Sequence, residues 1–138
     1  MKKEILLPLL MGSDKDLPYA QSIKKLFDGA NSSLVNINII VDIRIASVHK
    51  CCEYFIKAVQ EYEKNDNVLC YIGVAGKSNA LSGVVAANSK FPTIASPYFK
   101  DSTDLLININ SSLQCPAYVP VMTILDPINV VESIIRIL

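Results

Sequence analysis

The sequence predicts an α/β protein, a three-layer αβα sandwich around a five-stranded, doubly wound parallel sheet. Short apolar and β-branched runs alternate five times with segments of helical periodicity. Right-handed crossovers between parallel strands place the helices on both faces of such a sheet. The stretch Val68 to Gly83 adds a third observation. Its first part, Val68 to Val74, reads as a strand buried on both faces. Ala75-Gly76-Lys77-Ser78-Asn79 then turns into a helix whose free N–H groups Ser78 or Asn79 can cap. Open α/β sheets bind ligands at such polar turns, at the carboxyl ends of their strands.

The elements follow in order. Glu4 to Met11 is the first strand, with Pro8 awkward inside it because proline cannot donate to the ladder. Gly12 to Asp16 is a turn. Leu17 to about Phe27 is a helix with Ile23, Leu26 and Phe27 on one face, stopped by Asp28-Gly29. Leu34 to Ile43 alternates as a second strand, and Ala46 to Lys50 is the next strand-to-helix junction. Cys51 to about Asn65 is an amphipathic helix with Tyr54, Phe55, Ala58 and Tyr62 in its apolar stripe. Ala80 to Asn88 is the helix after the third strand. Phe91 to Ser96 is a short fourth strand, and Asp101 or Ser102 caps a helix reaching Ile109. Val119 to Leu125 is a fifth strand, and Pro127, a favoured first helical residue, opens the last helix to Leu138. Residues 1–138 read as a single domain of flavodoxin-like or Rossmann-like topology, with no repeat or linker.

Composition narrows the function. Thirteen basic and thirteen acidic residues balance, so no net field favours nucleic acid or an anionic membrane. No apolar run approaches the ~18 residues that span a bilayer. The apolar fraction of 51% is high for a solvent-facing monomer and predicts contacts between subunits, a homo-oligomer. Cys51, Cys52, Cys70 and Cys115 show neither C-x-x-C spacing nor a disulfide framework, and Cys70 reads as a small buried hydrophobe. A reduced, cytoplasmic protein is the simplest reading. With a single histidine and no spaced ligand set around it, no metal site is expected.

Three strand ends carry small polar turns that a doubly wound sheet brings together: Gly12 to Asp16, Ser47 to Lys50 and Gly76 to Asn79. Gly76-Lys77-Ser78 looks like the end of a G-x-x-x-x-G-K-S nucleotide loop, but Tyr71 stands where that loop needs its first glycine. Ser13 and neighbouring helix N–H groups suit a phosphate, while the Asp16 carboxylate suits a ribose diol. Asp16 could equally be a helix N-cap. His49, alone of its kind, can move a proton near neutrality; Ser47 can orient it and Lys50 adds a cation. A lone histidine at a helix start can also be merely structural.

These residues resemble the catalytic component of 5-aminoimidazole ribonucleotide carboxylase, the PurE family of purine biosynthesis. The matching motifs are Met11-Gly12-Ser13-x-x-Asp16, Ser47-Val48-His49-Lys50 and Ala75-Gly76-Lys77-Ser78-Asn79-Ala80-Leu81-Ser82-Gly83. Phe91-Pro92-Thr93-Ile94 and Ser111-Ser112-Leu113-Gln114-Cys115-Pro116-Ala117 continue the likeness. The family holds two chemistries: mutases that move a carboxylate from the N5-carboxy ribonucleotide to C4, and carboxylases that use CO2 directly. The mutase motif carries a second histidine where this chain has Ala80, and Gly76-Lys77-Ser78-Asn79 is similar to the CO2-using (class II) type. Lys77 replaces an arginine of the family, Lys15 a small hydroxyl residue and Tyr118 a glycine; Gln114 to Ala117 is closer to the mutase type.

The resemblance implies reversible carboxylation of aminoimidazole ribonucleotide at C4 with CO2, without a cofactor, in a homo-octamer or other homo-oligomer. His49 would be the base and Ser47 its orienter. Ser13, Lys15 and Lys50 would hold the phosphate and Asp16 the ribose. The backbone of Gly76, Lys77, Ser78 and Asn79 and the side chains of Ser78 and Asn79 would hold CO2 or the nascent carboxylate; Gly12 and Leu81 would also bind substrate. The alternatives are the N5-carboxy mutase and a non-catalytic nucleotide-sensing domain on the same fold. A phospho-acceptor receiver lacks its acidic cluster here, and a flavodoxin lacks its hydroxyl-rich phosphate loop.

Overall fold

The computed structural model of the protein describes residues 1–138. Strands β1 (Lys3–Met11), β2 (Ile37–Ile45), β3 (Tyr71–Val74), β4 (Thr93–Ala95) and β5 (Met122–Thr123) form one sheet in the order β2-β1-β3-β4-β5. Every neighbouring pair is parallel. Helices α1 (Leu17–Ala30), α2 (Cys52–Tyr62), α3 (Ala80–Asn88), α4 (Ser102–Asn108), α5 (Asn110–Leu113) and α6 (Pro127–Ile137) fill the connections. The expected doubly wound sandwich is the observed fold.

The two faces of β1 explain the layers, because successive side chains of a strand point to opposite sides. Leu7, Leu9 and Met11 pack against Ala20, Ile23 and Phe27 of α1 and against Val130 and Ile134 of α6. Leu10 lies on the other side, with Phe55, Val59 and Tyr62 of α2 and Leu81 and Val85 of α3. Phe27 and Phe55 are fully buried, and truncating either to alanine costs about 3–5 kcal/mol. Cys70 is buried in the first of these clusters, and its burial pushes the thiol up to about 12.

Pro8 sits inside β1, an interior strand, and the register shows how. Leu6 N–H and Gly12 N–H both donate toward β3, to Asn67 and Val74 carbonyls. Pro8 shares their side of the strand. Leu6 pairs with Val68 in an isolated bridge, whereas the regular ladder resumes at Leu9 and Ile72, one residue further along. The missing donor therefore falls at a one-residue bulge, where pairing is interrupted anyway. This bulge shortens the expected Val68 to Val74 strand to Tyr71–Val74.

Several boundaries differ from expectation. β2 begins at Ile37 and runs to Ile45 instead of spanning Leu34 to Ile43, because it pairs with β1 as far as Met11. The Asn31 side-chain amide bonds the main-chain N–H and C=O of Ile39 on the outer edge of this strand. Asp42 is tolerated within β2 because its carboxylate accepts the Tyr62 hydroxyl. α1 continues through Gly29 to Ala30, and its last turn closes where the Asn31 N–H donates to Phe27 O. β5 keeps only two residues of the expected Val119 to Leu125. Pro116 and Pro120 flank a turn in which Tyr118 adopts φ 67°, so the chain cannot be extended before Val121. On the helices, Leu26 and Tyr54 lie at the surface, and Val59 takes a buried place in α2 that the apolar stripe had not included.

Candidate active site

The loops after β1, β2 and β3 leave the sheet at its carboxyl edge and meet there. Ala46 N–H donates to Met11 O and Gly12 N–H to Val74 O, so the three loop starts are stitched side by side. Together they enclose a cavity of about 540 Å³. The first loop contributes Gly12, Ser13, Asp14, Lys15 and Asp16; the second contributes Ser47, Val48, His49 and Lys50; the third contributes Ala75 to Ser78, with Leu81 behind them. The sequence-expected residues thus line one cavity, Asn79 excepted.

Each loop has a local reason for its shape. Ser13 Oγ accepts Lys15 N–H and caps the 3-10 turn Asp14–Asp16, and Pro18 enters the first turn of α1. Asp16 occupies the N-cap position of α1 but makes no capping bond with its side chain. Its carboxylate is left available beside Gly12, where an added Cβ would lie 3.9 Å from Asp16 Oδ2 and 3.6 Å from Ala75 Cβ. Burial pushes the Asp16 carboxyl above the usual range; the hydrogen bond from the Ser13 backbone opposes this and the Asp14 charge adds to it.

In the second loop, Ser47 Oγ accepts Lys50 N–H at 3.2 Å, and Ser47 O accepts Cys51 N–H. Ser47 therefore shapes the turn that carries His49 through the backbone, and both His49 and Lys50 are solvent-exposed. Lys15, Lys50 and Lys77 face two carboxylates, Asp14 and Asp16, around the cavity, which favours an anionic ligand overall.

The third loop is the most constrained. Lys77 has φ 49°, the left-handed region that costs an L-residue about 1–2 kcal/mol. The N–H groups of Gly76, Lys77 and Ser78 have no acceptor within the chain. Successive free amides next to a left-handed residue form a nest that suits an anion. Asn79 is turned away from the cavity and is only 3% exposed. Its Oδ1 accepts Ser82 N–H, capping α3, and its Nδ2 donates to Ser112 Oγ. The cap expected from Ser78 or Asn79 is thus made by Asn79, whose side chain is fully occupied in holding the loop.

Sequence reasoning did not single out Asp14, Val48 or Ala75, which complete the lining, nor Ser82, Ser111 and Ser112, which grip Asn79 and Lys77 from outside. Ser111 and Ser112 lie 32 or more residues from the loop they hold, and no local periodicity carries such a contact. Only their place in the family-like motif Ser111 to Ala117 marked them.

Comparison with known proteins now gives the class. The family model described as AIR carboxylase matches residues 6–137, and the chain belongs to that family. A phosphoribosylaminoimidazole carboxylase from Archaeoglobus fulgidus is 39% identical over 129 residues, covering 94% of this chain and 66% of the relative. One from Treponema denticola is 39% identical over 121 residues, covering 88% of this chain and 71% of the relative. The crystal structure of Treponema denticola PurE superposes with a TM-score of 0.83 at 36% identity, covering 96% of this chain and 78% of that one. The chain thus spans about two thirds to nearly four fifths of the length of these relatives. No helix in it is long and apolar enough to cross a membrane.

Proposed function

We propose that the protein carboxylates 5-aminoimidazole ribonucleotide at C4 with CO2, reversibly, in purine biosynthesis. The observation that carries this reading is the single cavity in which a chain of the AIR carboxylase family gathers His49, Asp16, three lysines and the free amides of Gly76 to Ser78. The relatives' names, phosphoribosylaminoimidazole carboxylase, support the reaction class.

In this mechanism the electron-rich ring supplies the nucleophile, so no cofactor is needed. Ser13, Lys15 and Lys50, beside Gly12, hold the phosphate, and the Asp16 carboxylate accepts the ribose hydroxyls. C4 attacks the carbon of CO2, a C–C bond forms, and one C=O π pair moves to oxygen as the carboxylate. The nest at Gly76, Lys77 and Ser78 stabilises that carboxylate, with Leu81 closing the apolar side. C4 then carries both hydrogen and carboxylate. His49 removes the hydrogen as a proton, the pair returns to the ring, and aromaticity is restored. Ser47 sets the turn that presents His49, and Asn79 supports the nest from behind.

The choice of CO2 over the N5-carboxy donor rests on Ala80. It opens α3 where the mutase motif has a histidine, and its methyl group neither donates a hydrogen bond nor carries a proton. The deciding assay compares aminoimidazole ribonucleotide with bicarbonate and carbonic anhydrase against the N5-carboxy compound. Turnover should rise with dissolved CO2, and His49→Asn should abolish it while leaving ribonucleotide binding within about threefold. Rapid conversion of the N5-carboxy compound without dependence on CO2 would reverse the choice, and His49→Asn activity within tenfold of the parent would remove its role.

A cytoplasmic homo-oligomer, an octamer or another assembly by family resemblance, completes the proposal. All four cysteines are free thiols, which supports a reducing compartment. α4 buries none of its residues, and Leu106 and Ile107 on it are 72% and 70% exposed. Such a face supports burial against another copy. Light scattering that reports a 15.2 kDa monomer at micromolar concentration would refute it.

A further inference from the structure

We propose that Ser111, outside the cavity, is a positioning residue that sets the carboxylate-binding loop through the two peptide planes on either side of Ser78. The proposal rests on the function given above for that loop. Ser111 Oγ accepts the Asn79 N–H at 2.9 Å and stands 2.8 Å from Lys77 O as a donor. Lys77 O belongs to the peptide before Ser78 and Asn79 N to the peptide after it. One hydroxyl therefore grips both peptides at once, directly after the residue with φ 49°.

The loop needs such a grip. A left-handed lysine persists only where its surroundings over-determine it. On the strand side, Gly76 is held close to the next loop, since a Cβ there would come within 3.1 Å of Tyr98 O. On the helix side, Asn79 is fixed by Ser82 and by Ser112 Oγ at 2.9 Å. Ser111 supplies the remaining constraint, in the middle. Its own support is α5, which is tied to the sheet where Thr123 Oγ1 on β5 donates to Ser112 O.

The hydroxyl has a single proton and two acceptors within reach, Lys77 O and Asn108 O, both at 2.8 Å. Asn108 O is the ordinary i−3 partner of a helical serine. When the proton goes to Asn108, the Lys77 carbonyl is released but the Asn79 N–H remains bound. Alanine at 111 removes both bonds to the loop. The three free N–H groups then lose their common direction, while the phosphate and ribose contacts on the other two loops are untouched. The consequence is specific to the carboxyl donor.

The test measures KM for aminoimidazole ribonucleotide and for CO2 separately in Ser111→Ala and Ser111→Thr, with the crystal structure of Ser111→Ala. Ser111→Ala should raise KM for CO2 about tenfold with KM for the ribonucleotide changed less than twofold. Ser111→Thr, which keeps the hydroxyl, should return both within twofold of the parent. In the crystal structure of Ser111→Ala, Lys77 should leave the left-handed region. Equal rises in both KM values, or a loss that threonine does not rescue, would overturn the proposal, as would a left-handed Lys77 retained in the variant. A parent enzyme without carboxylation activity would instead sink the proposed function, and the Lys77 geometry would still decide whether Ser111 sets the loop.

Discussion

A methyl group added at Gly73 would fall inside the van der Waals envelope of Ser82 Oγ and 3.0 Å from Leu81 Cδ2. Gly73 lies on β3, the strand that feeds the third loop, and it packs against the first turn of α3. No positive φ requires glycine there; only space does. Ser82 is 1% exposed, and its hydroxyl lies 3.2 and 3.3 Å from the Asn79 side-chain amide that caps α3. The serine cannot rotate away without surrendering that network, and α3 cannot retreat without dragging Asn79 from Ser112. Overpacking of this kind costs about 1–3 kcal/mol. Loss of the cap adds about 1 kcal/mol.

Gly73→Ala should therefore destabilise the fold by about 2–4 kcal/mol, which for a chain of this size lowers Tm by roughly 6–12 °C. Urea or thermal denaturation at one fixed protein concentration measures it, because assembly would otherwise shift the midpoint. The double variant Gly73→Ala/Ser82→Ala removes the clashing oxygen and leaves Ser82 Cβ at 3.4 Å, an ordinary contact. Gly73→Ala should then cost at least about 1 kcal/mol less in the Ser82→Ala background than in the parent. A Gly73→Ala protein that melts within about 1 °C of the parent would refute the reasoning, and so would strict additivity in the double variant.

Asp16 and Tyr118 give two further predictions. The Asp16 carboxyl is raised above its usual value, chiefly by burial, so the carboxylate proposed as the ribose acceptor should be lost to protonation at a higher pH than an ordinary aspartate's. Ribonucleotide affinity of the parent, relative to Asp16→Asn, should accordingly fall as pH drops from neutrality into the acidic range. A parent-to-variant ratio constant from pH 7 to pH 4 would place the ribose elsewhere. For stability the sign reverses. The folded state holds this proton more tightly than the unfolded chain, so ionisation opposes folding above the raised value, and Asp16→Asn should melt no lower than the parent at pH 7. Tyr118 is fully exposed at φ 67°, and Tyr118→Gly should stabilise by about 0.5–1 kcal/mol by relieving the left-handed backbone, less the freedom glycine adds to the unfolded chain. Calorimetry showing a lower Tm would mean that the tyrosine side chain makes a stabilising contact.

The sequence by itself determined the fold class and the three turns of the site. Both are written in local signals, the period of apolar residues and the small polar residues at strand ends, and a parallel sheet leaves those ends no other place to converge. His49, Asp16, Lys50 and Gly76 could be placed in one cavity for the same reason, since each stands in one of those turns. Tertiary structure alone decided three other things. It put Pro8 at a bulge, because only the register of β1 against β3 shows which side of the strand lacks a donor. It cut β5 to two residues, because strand length depends on the neighbour and on the flanking prolines more than on β-propensity. And it turned Asn79 out of the cavity into a cap gripped by Ser112, with Ser111 beside it on the Lys77 carbonyl. An asparagine has the same donors and acceptors whether it lines a cavity or holds the loop that lines it. Which of the two it does is decided by a serine pair 32 to 33 residues away in the chain and less than 3 Å away in space.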